Sequence, residues 1–320
     1  MKVSLSWIVL LALAAALTLS TDAGSSGYVA AFYYVWYGDG GRHWNDSACN
    51  TVVDTPVVGF YSSMNRSVVE WQLRLMKDIG IDVVIVSWWG PGSYEDNATK
   101  LVFEVAREVG IKAAIMVEPW LGNDPSLYNE TWWKQVLDYI WNTYAVPHAD
   151  VYFSWYGKPL LAAFNPIGYQ YRPVDERFST RIVGHMSYVD WLYWSVPPRT
   201  SSNGVVSVMP RYDDYYLYLS GARDKYYRYD PHLTEGLYKD QWSYVLQNKD
   251  MVRMVIITTW NEYHERTMIE PHWDATAGVD PYHLYHLTKE FVESYRASTI
   301  IASIITVTTR SILAGAAESF

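Results

Sequence analysis

Apolar and polar positions follow a repeated order along this chain. From Ser67, SVVEWQLRLMKDIG carries apolar residues at 68, 71, 75 and 79, a helical stripe that Gly80 closes. IDVVIVSWWG (81–90) then runs apolar without alternation. The order recurs: KLVFEVAREVG ends at Gly110, IKAAIMVEPW (111–120) follows, and WWKQVLDYIWNTY from Trp132 is again amphipathic. A helix, a glycine stop and a fully apolar strand, repeated, predict parallel strands covered by helices. YVAAFYYVWYG (28–38), GKPLLAAFNP (157–166), RIVGHM (181–186), VVSVMP (205–210) and VRMVIITTW (252–260) bring the strand candidates to seven. No eighth is placed. This spacing fits a single-domain α/β fold of the (β/α)8 TIM-barrel type better than a doubly wound sheet. No G-x-G-x-x-G follows the first strand, and no Pro-, Gly- or Ser-rich linker divides the chain.

The two ends read differently from the middle. Lys2, the apolar stretch Trp7 to Leu19 and the small residues after it form a signal peptide over roughly residues 1–23. The expected destination is secreted or extracytoplasmic. Sequons at Asn45, Asn65, Asn97 and Asn129 agree with it, and the single cysteine, Cys49, excludes an intrachain disulfide. The barrel is expected over 24–296. The apolar tail over 297–320 reaches Arg310 before it is long enough to span a bilayer, so any membrane contact is confined to that tail.

Composition narrows the partner. With 25 Lys and Arg against 34 Asp and Glu and no basic cluster, nucleic acid is a poor candidate. The 16 Trp and 28 Tyr outnumber 8 Phe, an excess of rings with polar handles that suits a sugar's C–H faces and hydroxyls. The expected partner is therefore an oligo- or polysaccharide.

The strand ends carry the chemistry. Trp36 and Tyr37 follow the first strand, Trp88 and Trp89 the second, Glu118-Pro119-Trp120 the third and Asn165 the fourth; Arg211-Tyr212-Asp213 and Trp260-Asn261-Glu262 follow later ones. In a barrel these ends open on one rim. Glu262 and Glu265, three apart after the last strand, could have separated pKa values and act as an acid–base pair on a glycosidic bond. Glu118 would face the same cavity. A bland reading pairs Glu265 with Arg266 on the surface and leaves Glu270 a solvated charge, which is the expectation for Glu270. His264, His272, His283 and His286 stand near Asp274 and Asp280 but match no tight metal spacing, so neither metal nor cofactor is expected. His264, inside the motif, is a candidate site residue.

The motifs resemble glycoside hydrolase family 99. FYYVWYG and HWN (32–38, 43–45), GIDVVIVSWWG, IKAAIMVEPW, GKPLL, MPRYDD and WNEYHERTMIEP stand in family order over residues 28–272. The resemblance implies a (β/α)8 barrel and a retaining endo-acting α-mannosidase or α-mannanase. It implies that Glu262 acts as base on the sugar's own 2-hydroxyl, giving a 1,2-anhydro intermediate, and that Glu265 protonates the leaving oxygen and then activates water. It also implies substrate contacts for Glu118, for Trp88 or Trp89, for Tyr212 and for Tyr34 or Tyr37; Asn261 and His264 join them from the main motif. Two departures stand out. The family has glycine where this chain has Arg266, and again where it has Arg211. Arg266 is expected beside the acid/base, lowering its pKa or filling a subsite. Another α-glycan, a non-catalytic sugar-binding barrel and a metal-dependent hydrolase using the late histidines are the alternatives.

Overall fold

The computed structural model describes residues 27–45, 51–122, 124–164, 175–178, 200 and 204–297. Among them the main sheet has six strands: β1 (Tyr28–Tyr34), β2 (Val83–Trp88), β3 (Lys112–Val117), β4 (Leu161–Ala163), β5 (Val205–Val208) and β6 (Met254–Ile257). They hydrogen-bond in the order β4-β3-β2-β1-β6-β5, always in parallel. That order decides the architecture. A doubly wound sheet would continue past β1 with the next strand in the chain. Here the strand beside β1 is the last one and β5 lies beyond it, so the chain runs in one sense round a ring, as in a (β/α)8 barrel. RIVGHM, Asn165, Cys49, the signal segment and the tail after 297 lie outside the described residues.

β2 is buried at every position, and β1 and β3 at all but their first. Both faces are covered, which is why these strands read as continuous apolar runs. The covering helices are α1 (Arg66–Asp78), α2 (Tyr94–Val109), α3 (Glu130–Ile140), a short α4 (Tyr215–Leu219), α5 (Gly236–Gln247) and α6 over 283–297. α2 starts six residues before the KLVF run because Ser93 Oγ accepts the Asp96 N–H at 2.9 Å and the first turn is acidic. It ends as expected, with Gly110 left-handed at φ 75°. α5 buries Tyr238, Gln241, Trp242 and Val245, and α6 buries Leu284, Tyr285, Thr288, Val292 and Tyr295, apolar stripes each interrupted by one polar residue. α6 closes the ring. Tyr285 and Lys289 each donate to Asp78 at 2.8 Å, and Arg296 reaches the carboxylate of Asp82 just before β2. Among the described residues no helix is long and apolar enough to cross a membrane.

Gly90, just past β2, adopts φ 95°, and a Cβ built there would lie 2.6 Å from the Trp120 ring. Backbone and packing both demand glycine. Gly90→Ala is expected to lose about 1–3 kcal/mol of stability, read as a lower chemical-denaturation midpoint with unchanged slope.

Candidate active site

The segment after β6 folds into a closed turn. Thr259 N–H donates to Thr267 O at 2.9 Å, Thr267 N–H to Glu262 O at 3.2 Å, and Ile269 N–H to Thr259 O at 3.0 Å. Asn261 fastens this turn to β1: its Oδ1 accepts the Tyr34 N–H and its Nδ2 donates to Tyr34 O, both at 2.8 Å. Tyr37 adds a second tie, donating its hydroxyl to Asn261 O at 2.8 Å and accepting the Tyr263 N–H at 3.1 Å. Asn261 and Tyr37 are fully buried and occupied in this way, so they shape the site from behind.

The turn aims two carboxyls into one cleft. Glu262 accepts the backbone N–H of His264 on Oε1 at 3.0 Å and that of Glu265 on Oε2 at 2.7 Å. Burial pushes its pKa well above the ordinary glutamate value, and the neighbouring Glu265 pushes it further. Glu265 is also raised by burial, while the Arg223 guanidinium and the Tyr212 hydroxyl pull it back. The Glu265 carbonyl accepts the Asp213 N–H at 2.9 Å, which joins the turn to the segment leaving β5. Glu118, at the end of β3, accepts the Ser87 hydroxyl at 2.8 Å; burial pushes its pKa up to about 8, with the charge of Glu265 adding to the rise.

The cleft holds about 280 Å³ and is lined by these three glutamates together with Tyr34, Trp36, His43, Trp89, Phe164, Leu217, Ala222, Arg223 and His264. Its wall is aromatic: Trp36 lies flat against His43 at 5.0 Å, with Tyr34 at 4.5 Å, His264 at 5.7 Å and Trp89 at 5.9 Å. Of the paired candidates, Tyr34 and Trp89 face the cleft. Trp88 is fully buried and donates its indole N–H to Asp96 at 2.8 Å, a carboxylate that also takes the Tyr139 and Tyr144 hydroxyls at 2.6 Å. His264 lines the cleft with Nδ1 2.6 Å from Thr51 Oγ1. Tyr212 reaches it indirectly, its hydroxyl 3.1 Å from both Glu265 Oε1 and Asp214 Oδ2.

Two expectations, and the bland pairing of Glu265 with Arg266, need correction. Glu270 is not solvated: it is fully buried, accepts Gln72, Tyr61 and Tyr263, and burial raises its pKa to about 7. Glu265 pairs with Arg223, not Arg266. Arg266 turns away from the cleft and binds Asp54, Asp213 and Asp274 in the protein interior. Arg223 carried no sequence signal, because it lies in an irregular segment after α4. Trp36 and His43 did carry one, standing within the first motif block. Asp54, His272 and Asp274 come close enough to hold a cation, but both carboxylates there are already bonded by Arg211 and Arg266.

Residues 40–174 match the family model for Glycosyl hydrolase family 99, a stretch that includes Glu118 and ends before Glu262. A mouse glycoprotein endo-alpha-1,2-mannosidase is 26% identical over 179 residues, 42% of this chain and 38% of that protein. A human glycoprotein endo-alpha-1,2-mannosidase-like protein is 25% identical over 146 residues, 36% of this chain and 31% of that one. The chain thus matches well under two thirds of these relatives' length. The GH99 endo-alpha-mannosidase from Bacteroides thetaiotaomicron shares the fold, with a TM-score of 0.63 at 18% identity over 85% of this chain and 98% of that structure. In its matched segment this chain resembles glycosyl hydrolase family 99, and in fold it resembles that family's endo-alpha-mannosidase structure.

Proposed function

We propose that this chain is a secreted, retaining, endo-acting glycoside hydrolase that cleaves α-mannosidic linkages in a mannose-containing glycan. The observation that carries the reading is the turn after β6, which presents Glu262 and Glu265 together to an aromatic-walled cleft at the strand ends.

The roles are those the family resemblance implies, and the two environments can accommodate them. Glu262, raised by burial and gripped by two backbone N–H groups, is a base strong enough for a sugar hydroxyl. It takes the proton of the 2-hydroxyl as that oxygen bonds to the anomeric carbon, while Glu265 delivers a proton to the departing glycosidic oxygen. Water then attacks the anomeric carbon and gives its proton to Glu265. The bond between the anomeric carbon and the 2-oxygen breaks with its electron pair on that oxygen, which recovers its proton from Glu262. Inversion twice gives net retention. Glu118 stays protonated up to about pH 8 and can donate to a sugar hydroxyl. Trp36, Trp89 and Tyr34 offer ring faces to the sugar's C–H surfaces.

The cycle starts with Glu262 ionised and Glu265 protonated, so kcat/KM should be bell-shaped. Both limbs belong to the coupled pair and should lie above the ordinary glutamate range. Purified protein incubated with defined α-mannans, N-glycans and α-glucans, with products read by mass spectrometry and NMR, tests the reading. Internal cleavage of an α-mannan with retained configuration is expected; cleavage of α-glucan alone would transfer the machinery to another glycan, and no cleavage would leave a binding barrel. The apolar segment over 1–23 supports secretion, checked by sequencing the N-terminus of protein recovered from the medium.

A further inference from the structure

The two oxygens of Glu265 have different surroundings. Oε1 accepts from Arg223 Nη2 and lies 3.1 Å from the Tyr212 hydroxyl. Oε2 is buried and has no hydrogen-bond partner among the described residues. Arg223 itself is held from behind: Nη1 donates to Asp214 Oδ2 at 2.6 Å and to the Tyr212 hydroxyl at 2.7 Å. Asp214 is fully buried, and its Oδ1 accepts the Tyr227 N–H at 2.6 Å. The guanidinium therefore enters the cleft from an anchored position, although its side chain is 39% exposed.

We propose that Arg223 is a positioning residue that clamps Oε1 of Glu265 and leaves Oε2 as the oxygen that passes the proton to the leaving group and takes one back from water. The inference rests on the glycosidase reading for its reaction, and on geometry for its assignment of atoms. A carboxylic acid protonated on Oε2 keeps Oε1 as a carbonyl acceptor, so clamp and proton never compete for one atom. When the proton leaves Oε2 for the glycosidic oxygen, the carbon–oxygen bond breaks with its electron pair on that oxygen. Glu265 is left as a carboxylate against Arg223. Attacking water then returns a proton to Oε2.

The groups facing Glu265 come from four strand ends: Tyr34 from β1, Glu118 from β3, Tyr212, Asp214 and Arg223 from the segment after β5, and Glu262 and His264 from its own turn. Among these, Arg223 alone carries a permanent positive charge. Without it Glu265 would sit among three other carboxyl groups.

Arg223→Gln is therefore expected to move the alkaline limb of kcat/KM upward by about 1–2 pH units and to lower kcat below that limb. Arg223→Lys, which keeps the charge and loses the fork, should return the limb to near its wild-type position with kcat only partly restored. A uniform loss at every pH, or Gln and Lys variants that behave alike, would overturn the proposal. A second readout needs no turnover: a carbon-13 NMR titration of glutamate-labelled protein, with the Glu265 signal identified by its loss in Glu265→Gln. Its midpoint should rise in Arg223→Gln and return toward wild type in Arg223→Lys. If the wild-type protein cleaves no glycan, the glycosidase reading fails alone; an unmoved Glu265 midpoint defeats the Arg223 assignment in either case.

Discussion

Glu265→Gln is expected to reduce turnover of an α-mannan by about 10²–10⁴-fold while leaving glycan binding measurable, and Glu262→Gln to do the same, since each removes one positioned proton transfer. The two differ in their side effects. A glutamine at 265 can still present an oxygen to Arg223 and Tyr212, and its amide nitrogen falls where Oε2 has no partner among the described residues, so the clamp survives. A glutamine at 262 can accept only one of the two backbone N–H groups that Glu262 now accepts, from His264 and Glu265. It should therefore loosen the turn as well as remove the base. Calorimetric titration with a mannan oligosaccharide on both variants separates the cases: binding close to wild type for Glu265→Gln, and several-fold weaker for Glu262→Gln. Either variant retaining most of its rate would remove that glutamate from the reaction.

Leaving-group chemistry gives an internal check. An aryl α-mannoside with a good leaving group needs little protonation, so Glu265→Gln should recover much of its first-step rate on such a substrate. Glu262→Gln should not, because the 2-hydroxyl still has to be deprotonated. Similar losses for both variants on both substrates would show that the two glutamates do not divide the work as assigned.

The barrel was legible because its strands are buried on both faces. A strand with no solvent side reads as an unbroken apolar run, and Gly110 marks where a helix hands over to the next one. The address of the site was legible for the same reason: a charged, aromatic motif directly after such a run can only stand at the strand end. The direction of each side chain within that rim was not legible. Trp88 and Trp89 are neighbours in sequence, yet one turns inward to Asp96 and the other to the cleft, as alternation along a strand requires. Which one faces in depends on the partner carboxylate in α2, which no local pattern reveals. Arg223 was hidden for a related reason. Its partners, Asp214 and Glu265, are separated from it by 9 and 42 residues, and only the joining of two strand ends brings them together. Glu270 misled in the opposite sense, since a glutamate before proline looks like a surface charge until Gln72, Tyr61 and Tyr263 are seen around it.

Removing Arg266 is expected to be the most destabilising single change near the site, by about 3–5 kcal/mol, because it would leave the buried carboxylates of Asp54, Asp213 and Asp274 short of one counter-charge. Its guanidinium grips Asp54 with two bonds of 2.7 and 2.9 Å and also reaches Asp213 at 3.0 Å and Asp274 at 3.2 Å. Arg211 binds Asp54 and Asp274 from the other side and donates Nε to the carbonyl of Arg266 at 2.8 Å. The two positions at which this chain replaces a family glycine with arginine thus meet in one ionic cluster behind the Glu262–Glu265 turn. The backbone explains why glycine suits position 266: its φ is +55°, a left-handed conformation that glycine adopts freely and other residues adopt at about 1–2 kcal/mol. In this chain the cluster holds an arginine in that conformation. Arg266→Gly and Arg266→Ala lose the same charge, but only alanine keeps the backbone strain, so the glycine variant should be the more stable by about 1 kcal/mol in denaturant unfolding. Alanine equal to or better than glycine would mean the left-handed conformation is not retained once the guanidinium is gone. The cluster also joins the turn to the segment bearing Tyr212 and Arg223, through Asp213, whose N–H binds Glu265 O. Both variants should therefore lose catalytic rate in proportion to the displacement of Glu265, although neither touches an atom in the cleft.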